Sequence, residues 1–561
     1  MKPKVVEALF RRHEMYWDEQ KAELRKLRSA YMTRYWDKTY ASDQVLIETT
    51  RAYEYIEGYI ASLYSRNPAV VTKGDVRGKG DANKVQALSN AFLDKIRTQI
   101  EDVSRLALIY PCAFLKLYAT AHPDPFKRVG VSAVACWDII VDTDAPAWLQ
   151  QKYVGHRYHL TIEEAKEKYG NKKYTTHQLV RFLDSDTEDG NAPYLGMNLN
   201  PAQEAHNEVD SPFEYIQVVE FYDLVENKMY VWSPDYKNGE KWLYDGVEIE
   251  IGDGEESETQ KFDKIPFVDS ANNPLAPIVP LFFSRQPDLP LRGYSALRRV
   301  YSQVEETNII RTYQSTMVRR SARQWIVKKG VFTDEDMAKL ALGADGEYIE
   351  AELSPSQNLT GSIQPVPHTP VPHELETYAR QVNDDFQRGS VLAPFTRGEA
   401  TRATATEITA LASYSSSEIG RLARERDAMI EYASSVYIAM MKIFLEDEPD
   451  VVVINGSPQV VRSSDLDGDF SFYALDAGAT PVSEAVKKQD FLQSIQLLIE
   501  LGVPQQKVLQ ELVRKLDLPE DFLETNLQGI QDLAQPQQPP SATAGIEQGQ
   551  QGSPQAVAEV L

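Results

Sequence analysis

A stretch of about thirty residues without proline or glycine constrains this chain more than any other feature. Gly293 lies just in front of the stretch, and neither residue type recurs until Gly330. Because proline and glycine commonly end helices, the stretch permits a single helix over residues 295–325. At ~1.5 Å per residue, such a helix would be roughly 45 Å long, which exceeds the needs of an ordinary domain.

The predicted long helix has an apolar stripe on one face and basic residues on the other. The stripe consists of Leu297, Val300, Tyr301, Val304, Ile310, Tyr313 and Met317. The basic residues are Arg298, Arg299, Arg311, Arg319, Arg320, Arg323, Lys328 and Lys329. The whole chain carries 59 basic and 83 acidic residues, a formal charge of −24. This local reversal of sign therefore requires a structural or functional reason.

Composition limits the class of protein. The 561 residues, 42% of them hydrophobic, are enough for roughly three or four domain-sized units. No run of ~18 apolar residues occurs and the N-terminus lacks an apolar signal segment, which predicts an intracellular protein without a membrane span. Cys112 and Cys136 are too few for a disulfide framework and lack metal-ligand spacing, as is typical of a reducing compartment.

The first half of the chain alternates between helical and strand-like patterns. Helices are predicted over residues 5–57 and 82–110, and β-rich runs separated by turn formers follow from residue 112 to 157. Thr161 is the predicted cap of a short helix. Residues 215–254 alternate as a hairpin or meander, with turns at Glu226-Asn227-Lys228 and Lys237-Asn238-Gly239.

A small α/β unit is predicted to interrupt a pair of long helices. After the first long helix, QWIVKKG, EYIEAELS and IQPVPHT have the pattern of short strands, and FTDEDMAKLAL has that of a helix. A second long helix, HELETYARQVNDDFQRGS, then begins near Pro372. This order predicts two helices lying side by side as a stalk, with the small unit at the tip.

The last third begins with a loop rich in threonine, glycine and arginine. From Thr404 a helix of about forty residues is predicted. VVVINGSPQVVRSS and FSFYALDAG are predicted to form a closing β-hairpin, and three further helices follow from Val482. After Gln535 the composition of glutamine, proline, glycine, serine and alanine predicts a disordered tail.

No catalytic motif was found, and the possible polar sites have simpler interpretations. Walker, dinucleotide-binding, zinc-protease and nucleophile-elbow signatures are all missing, so we expect no enzyme, no cofactor and no metal. Asp142 and Asp144 fit a strand-exit turn better than a carboxylate pair. His156 and His159 would lie on opposite faces of a strand. The DLDGD segment fits a tight turn better than a calcium loop.

The order of these parts resembles the portal, or head-to-tail connector, protein of tailed bacteriophages. The resemblance covers residues 45–527 and rests on CWDIIVDTDA, YVGHRYHLTIEEAKEKYG, GYSALRRVYSQVEETNIIRTYQSTMVRR and PFTRGEATRATATEITALASYSSSEIGRLARERD. It implies an α+β portal-like fold with an α/β wing, a two-helix stem, a small α/β clip, a long tunnel and wing helix, and a helical crown. The implied bounds are wing 1–289, first stem helix 290–323, clip 324–369, second stem helix 370–390, tunnel loop 391–404, wing return 405–476 and crown 477–534, before the tail at 535–561.

The resemblance also implies a structural function without catalysis. Such proteins form a ring, typically of twelve copies, at one vertex of the virion's capsid, after synthesis in the host cytoplasm. Double-stranded DNA passes through the ring during packaging and ejection. The implied partners are the terminase large subunit, head-tail adaptor or tail proteins, and the major capsid and scaffold proteins.

Two groups of residues are candidate DNA contacts under this resemblance. In the tunnel loop, Arg397 and Arg402 would contact phosphates, while Thr396, Gly398 and Thr401 would supply flexibility. The alternative is that this loop merely connects two helices. On the stem, Arg298, Arg299, Arg311, Arg319 and Arg320 would either line the tunnel or pair with acids of the neighbouring subunit, and the sequence leaves both possibilities open.

Two other classes of protein are alternatives to the portal interpretation. One is a non-portal structural or scaffold protein of a virus head, which predicts no closed ring. The other is a subunit of a DNA-processing enzyme or motor, which the missing phosphate loop disfavours.

Overall fold

The computed structural model describes most of the chain up to residue 475. The described residues are 1–36, 46–64, 67–74, 80–120, 122, 125–179, 182–184, 213–251, 258–262, 264–269, 272–321, 325–329, 331–342, 363–365, 372–390, 405–445, 450–454 and 457–475. The chain divides into two units, Met1–Thr480 and Pro481–Leu561. The predicted crown at 477–534 and the predicted tail at 535–561 lie outside the described residues.

The protein is a mixed α+β structure, as predicted. The described helices are α1 (Pro3–Tyr31), α2 (Arg51–Leu63), α3 (Ala82–Lys95), α4 (Arg97–Ile109), α5 (Ile162–Tyr169), α6 (Tyr301–Ser321), α7 (Asp334–Leu342), α8 (His373–Ser390) and α9 (Ala405–Phe444). Within the described part of the chain, no helix combines the length and apolarity that crossing a bilayer requires.

The strands form several antiparallel sheets. They are β1 (Val70–Gly74), β2 (Ala113–Ala119), β3 (Val129–Ala135), β4 (Ile139–Val141), β5 (Tyr153–Thr161), β6 (Tyr215–Asp223), β7 (Lys228–Trp232), β8 (Tyr244–Asp245), β9 (Val247–Ile251), β10 (Glu258–Phe262), β11 (Ile278–Leu281), β12 (Trp325–Val327), β13 (Ile363–Pro365), β14 (Asp450–Ile454), β15 (Ser457–Val461) and β16 (Phe470–Ala474). The two larger sheets have the strand orders β11-β2-β3 and β4-β5-β6-β7-β8.

The N-terminal helix is shorter than predicted. The predicted helix over 5–57 is wrong, because α1 ends at Tyr31 and α2 begins only at Arg51. Thr33 adopts a left-handed backbone conformation, φ 52°, which a helix cannot continue through. The run over 82–110 is likewise two helices, which meet at the non-helical residue Ile96.

The five-stranded sheet follows the predicted meander closely. The turn between β6 and β7 contains Asn227 at φ 53°, and Asn238 lies at φ 54° in the second predicted turn. Asparagine accepts this left-handed conformation more readily than most residues do. The short helix α5 has the predicted cap, in which Thr161 and Glu164 bond each other's backbone N–H groups.

The C-terminal strands pair differently from the prediction. VVVINGSPQVVRSS folds back on itself, so that β14 pairs with β15. FSFYALDAG does not close this hairpin; its strand β16 pairs with β1, with Val70 opposite Ala474. The backbone N–H of Leu475 also donates to the carbonyl of Ala69, at 2.7 Å. The prediction was wrong because the composition of a short strand such as β16 does not show whether it pairs with a sequence neighbour or with a distant strand.

The main core joins the helices to the three-stranded sheet. Side chains of α1, α2, α3 and α4 pack with β2, β3 and β11 and with the second half of α9. Phe92 of α3 stacks on Tyr437 of α9 with ring centroids 3.9 Å apart. The start of α6 and the end of α8 also pack against this core, through Val304 and Phe386.

Candidate functional site

The chain enters α6 through a tightly packed corner. A Cβ atom at Gly293 would lie 1.6 Å from the carbonyl oxygen of Pro111, so only glycine fits there without a backbone shift. The Ser295 hydroxyl donates to the carbonyl of Ile109 at 2.6 Å and accepts from the backbone N–H of Arg298 at 3.2 Å. The start of the helix is therefore fixed to the end of α4.

The long helix is shorter than its sequence permits. A 3-10 turn at Leu297–Val300 precedes α6, which ends at Ser321, and Trp325 already belongs to strand β12. The prediction of one helix over 295–325 is therefore wrong at both ends. At ~1.5 Å per residue, α6 is roughly 30 Å long.

The apolar stripe is buried only in its first half. Leu297, Val300 and Val304 are buried in the main core, and Ile310 is also buried. In contrast, Tyr313 is 59% exposed and Met317 is 37% exposed. The predicted apolar stripe is therefore covered only near the base of α6, because the helix extends beyond the body that packs against its start.

The two long helices lie side by side and antiparallel, as predicted. Gly389 near the end of α8 approaches Val300, the residue just before α6. Further along, the Tyr378 hydroxyl donates a hydrogen bond to the Glu306 carboxylate. We call α6 and α8 the helix pair. Because α8 lacks bulk at Gly389, the two helices approach closely at their base.

The small unit between the two helices is partly described. Strand β12 pairs antiparallel with β13. Helix α7 occupies the predicted position, and the Thr333 hydroxyl caps it by accepting from the Asp336 backbone N–H at 3.2 Å. The predicted strand EYIEAELS lies outside the described residues. An inserted β-pair with a helix therefore joins the two long helices.

Two of the candidate arginines are already paired within the chain. Arg298 forms an ion pair with Glu23 of α1, and Arg299 lies 3.5 Å from the carboxylate of Glu418 in α9. Arg299 also donates to Ser284 Oγ at 2.7 Å. The sequence left two roles open for these arginines, lining the tunnel or pairing with a neighbouring subunit. The observed contacts are neither of these, because they connect the base of α6 to two other helices of the same chain.

The remaining candidate residues of α6 lie further along the helix. Arg311 is exposed, and among the described residues no carboxylate pairs with it. Arg319 and Arg320 belong to the last turn of α6. The predicted tunnel-loop residues Thr396, Arg397, Gly398, Thr401 and Arg402 lie outside the described residues. The helix predicted to follow that loop is confirmed as α9, which has 40 residues.

A polar cleft lies between the helix pair and the start of α2. Its volume is about 660 Å³. Its lining residues are Thr49, Thr50, Arg51, Glu54, Thr307, Ile310, Arg311, Gln314, Glu376, Ala379, Arg380 and Asn383. Arg51 donates to Asn383 Oδ1 at 2.9 Å and to Thr307 Oγ1 at 3.2 Å, so it connects α2 to both long helices.

Sequence reasoning identified only one basic residue of this cleft. Arg51 and Arg380 belong to α2 and α8, which are distant from α6 in the sequence. The helical period of α8 would have placed Arg380 and Asn383 on one face, three residues apart. With Arg311, these residues place three guanidinium groups around one opening that also holds Glu54 and Glu376. Such a site can bind groups that carry negative charge or hydrogen-bond acceptors.

A second polar cluster is buried between the two larger sheets. Lys116 of β2 forms an ion pair with Glu220 of β6 and lies 2.8 Å from His156 Nδ1. Tyr158 donates to the other carboxylate oxygen of Glu220, at 2.8 Å. Burial alone would raise the pKa of Glu220, but the charges of Lys116 and Lys168 prevail and lower it to about 2. The pair therefore holds two opposite charges in the interior.

The other polar motifs have structural roles. The Asp142 carboxylate accepts from the backbone N–H of Asp144 at 3.2 Å, which is the predicted turn. In DLDGD, the Asp465 carboxylate accepts from Lys84 Nζ at 2.8 Å and from the Arg462 backbone N–H at 3.0 Å. Among the described residues, no group of three or more histidine, cysteine or carboxylate side chains is arranged to hold a metal ion.

Three histidines should make the fold sensitive to acid. Burial, together with the charge of Arg157, lowers the pKa of His13 to about 3 and that of His159 to about 4. Burial and Lys116 hold the pKa of His156 well below its usual range. Because the unfolded chain binds protons below about pH 6.5 and the folded chain does not, stability falls as the pH decreases from 6.5 towards 4.

We therefore expect the melting temperature to fall steadily between pH 6.5 and pH 4. The variant His13→Gln keeps a donor for the Trp137 carbonyl but cannot take up a proton on unfolding. Its melting temperature should therefore fall less over this pH range. His373→Gln, at a residue whose side chain is 84% exposed, is the control and should keep the full dependence. Identical pH profiles for all three proteins, measured by circular dichroism, would contradict this account.

Comparisons with known proteins include a distant likeness to a solved structure. No protein-family model matches the chain, and no curated protein matches it. A chain from a solved structure described as the virion of a native gene transfer agent particle is similar at a TM-score of 0.38 and 11% sequence identity. That match covers 89% of this chain and 94% of the other.

Proposed function

We propose that this chain is the portal protein of a tailed-phage-like particle, a ring through which DNA enters and leaves the capsid. The observation that carries the proposal is the antiparallel helix pair, α6 and α8, which are joined by the small unit that contains β12, α7 and β13. In sequence order, the forty-residue helix α9 follows at once after residues 391–404. These elements occur in the order that the resemblance implies for stem, clip, stem, tunnel loop and wing.

The exposed end of the helix pair supports an assembling role. Tyr313, Met317 and Val318 of α6 are all more than a third exposed, and so is Tyr378 of α8. Exposed apolar side chains that lie together commonly mark a surface that another protein covers. In a ring of repeated copies, each subunit presents one face to the next, so these side chains would be covered by a neighbour.

The charge distribution is compatible with a DNA channel. A channel that neutralised many phosphates would bind DNA tightly through counterion release and hold it in place. The net charge of −24 opposes such retention, whereas a few arginines near the helix pair can guide the duplex. Arg298 and Arg299 pair with acids of their own chain. Among the candidate arginines whose side chains the structure describes, this leaves Arg311 of α6 for DNA or for the neighbouring subunit.

The partners follow from the same proposal. The small unit between the helices would meet the terminase large subunit during packaging and head-tail adaptor or tail proteins afterwards. Major capsid and scaffold proteins would surround the ring at one vertex of the virion. No enzymatic activity, cofactor or membrane is part of the proposed function.

Light scattering and electron microscopy of the purified full chain test the proposal. We expect closed rings of about a dozen subunits with a central hole. The variant Arg311→Glu separates the two roles of Arg311: fewer rings indicate a subunit contact, whereas normal rings with a weaker salt dependence of DNA binding indicate a channel contact. Lys166→Glu on α5 makes the same charge change at an exposed position and should do neither. Filaments or a compact dimer would overturn the proposal.

A further inference from the structure

The chain's two cysteines face each other at one end of a strand pair. Strands β2 and β3 are antiparallel, and Ala113 is opposite Ala135. Cys112 and Cys136 each lie one residue beyond that pair, with Cys136 at the start of a 3-10 turn, so the two residues are neighbours at this end of the ladder. Opposed residues in an antiparallel ladder have Cα atoms ~4.5–5.5 Å apart. A disulfide requires roughly 4.4–6.8 Å, so the backbone need not move far to accept one.

The two thiols are close enough to interact. Burial raises the pKa of the Cys136 thiol, and the neighbouring Cys112 side chain raises it further. Both cysteines are free, and they are 3% and 0% exposed. The chain contains no other cysteine, so no third thiol of the same chain can compete for either partner.

The thiol pair occupies a junction of several elements. Pro111, next to Cys112, carries the carbonyl against which the Gly293 backbone packs at the entrance to α6. On the other side, Trp137 follows Cys136 and packs edge-on against Tyr110 at 4.9 Å. The side chain of Arg292 covers the Tyr16 ring of α1, with its guanidinium carbon 3.5 Å from the ring centroid. A covalent bond between the cysteines would fix the point where the sheet, α1 and the approach to α6 meet.

We propose that Cys112 and Cys136 are a redox modification site that forms an intramolecular disulfide on exposure to a low-molecular-weight disulfide such as oxidised glutathione. A thiolate of one cysteine attacks the glutathione disulfide, and one glutathione thiolate leaves. The second cysteine thiolate then attacks the protein sulfur of this mixed disulfide and releases the second glutathione thiolate. Two electrons pass to glutathione, and the two thiol protons of the protein end on the two glutathione thiols.

The burial of both thiols determines when the reaction occurs. A small disulfide cannot reach either sulfur in the closed structure, so exchange requires a local opening at this end of β2 and β3. Once formed, the bond closes a loop from residue 112 to residue 136 and removes conformations from the unfolded chain. The oxidised protein should therefore be more resistant to heat than the reduced protein.

Mass spectrometry of the wild-type full chain tests this site. Reduced protein is incubated with oxidised glutathione, blocked with an alkylating agent and digested with trypsin without reduction. We expect the peptides 106–116 and 129–152 to be joined, with a loss of 2 Da from the intact mass. The same oxidised sample should melt several degrees above the reduced sample, and added dithiothreitol should reverse both changes.

Variants and the remaining outcomes complete the test. Cys112→Ala and Cys136→Ala should each show no joined peptide and no oxidant-dependent change in melting temperature. Glutathione adducts that persist without a joined peptide would overturn the proposal, as would disulfides between chains. An unchanged mass under conditions that oxidise the urea-unfolded chain would also overturn it. None of these readouts depends on ring formation, so this inference and the proposed function can fail separately.

Discussion

Replacing Gly293 with alanine is expected to destabilise the protein severely. The added Cβ would lie 1.6 Å from the carbonyl oxygen of Pro111 and 2.4 Å from its carbonyl carbon. Both obstacles are backbone atoms, so no side-chain rotation can relieve the clash, and either α6 or the end of α4 must move. Overpacking typically costs about 1–3 kcal/mol, and a clash with backbone atoms places this variant at the upper end of that range. The melting temperature measured by circular dichroism should fall by several degrees, and soluble yield should decrease.

Gly420→Ala is the matched control for this prediction. Gly420 lies within α9, and no heavy atom would come within 4 Å of an added Cβ there. Since glycine inside a helix is less stable than alanine by roughly 0.5–1 kcal/mol, this variant should melt at or slightly above the wild type. Equal melting temperatures for Gly293→Ala and the wild type would show that the corner at Pro111 is looser than described.

The second large effect is expected at the buried ion pair. Glu220→Ala would leave the Lys116 ammonium, which is 5% exposed, without its carboxylate. Breaking a buried pair on one side costs about 3–5 kcal/mol, because an uncompensated charge remains in the interior. We therefore expect a large decrease in melting temperature at pH 7 and a loss of the packing between β2 and β6.

A double variant distinguishes lost charge balance from lost packing. Lys116→Met combined with Glu220→Leu removes both charges and keeps most of the volume, so it should recover much of the stability lost in Glu220→Ala. Glu101→Ala breaks the surface pair with Arg97, 3.1 Å apart, and should change stability by less than about 0.5 kcal/mol. If the double variant were no more stable than Glu220→Ala, unpaired charge would not be the cause of the loss.

Local signals explain the parts of the fold that were predictable. The forty-residue helix α9 and the second long helix α8 have strong helical periodicity, and both were predicted correctly. The capping box at Thr161 and Glu164 is a local interaction, and the sequence pattern indicated it. The helix break after Tyr31 was not predictable, because no proline or glycine marks it in the sequence. Instead, Thr33 adopts the left-handed backbone conformation that ends the helix.

Long-range contacts explain what the sequence did not reveal about the candidate site. The acids that neutralise Arg298 and Arg299 are Glu23 and Glu418, on helices at opposite ends of the chain. The cleft needs α2 beside the helix pair, and only the folded core places Arg51 there. Amphipathic patterns show which face of a helix is apolar, but they do not show where the covering layer ends. For that reason the pattern alone does not show that Tyr313 and Met317 are exposed.

The pairing of β1 with β16 has a consequence for synthesis on the ribosome. Strand β1 leaves the exit tunnel about 400 residues before its partner exists. At a translation rate of roughly 5–20 residues per second, the backbone N–H and C=O groups of β1 remain without their β16 partners for about 20–80 s. During that interval Val70–Gly74 is an open strand edge, which other chains can pair with. The nascent protein therefore keeps this edge uncovered until late in translation, and slower elongation would lengthen that exposure.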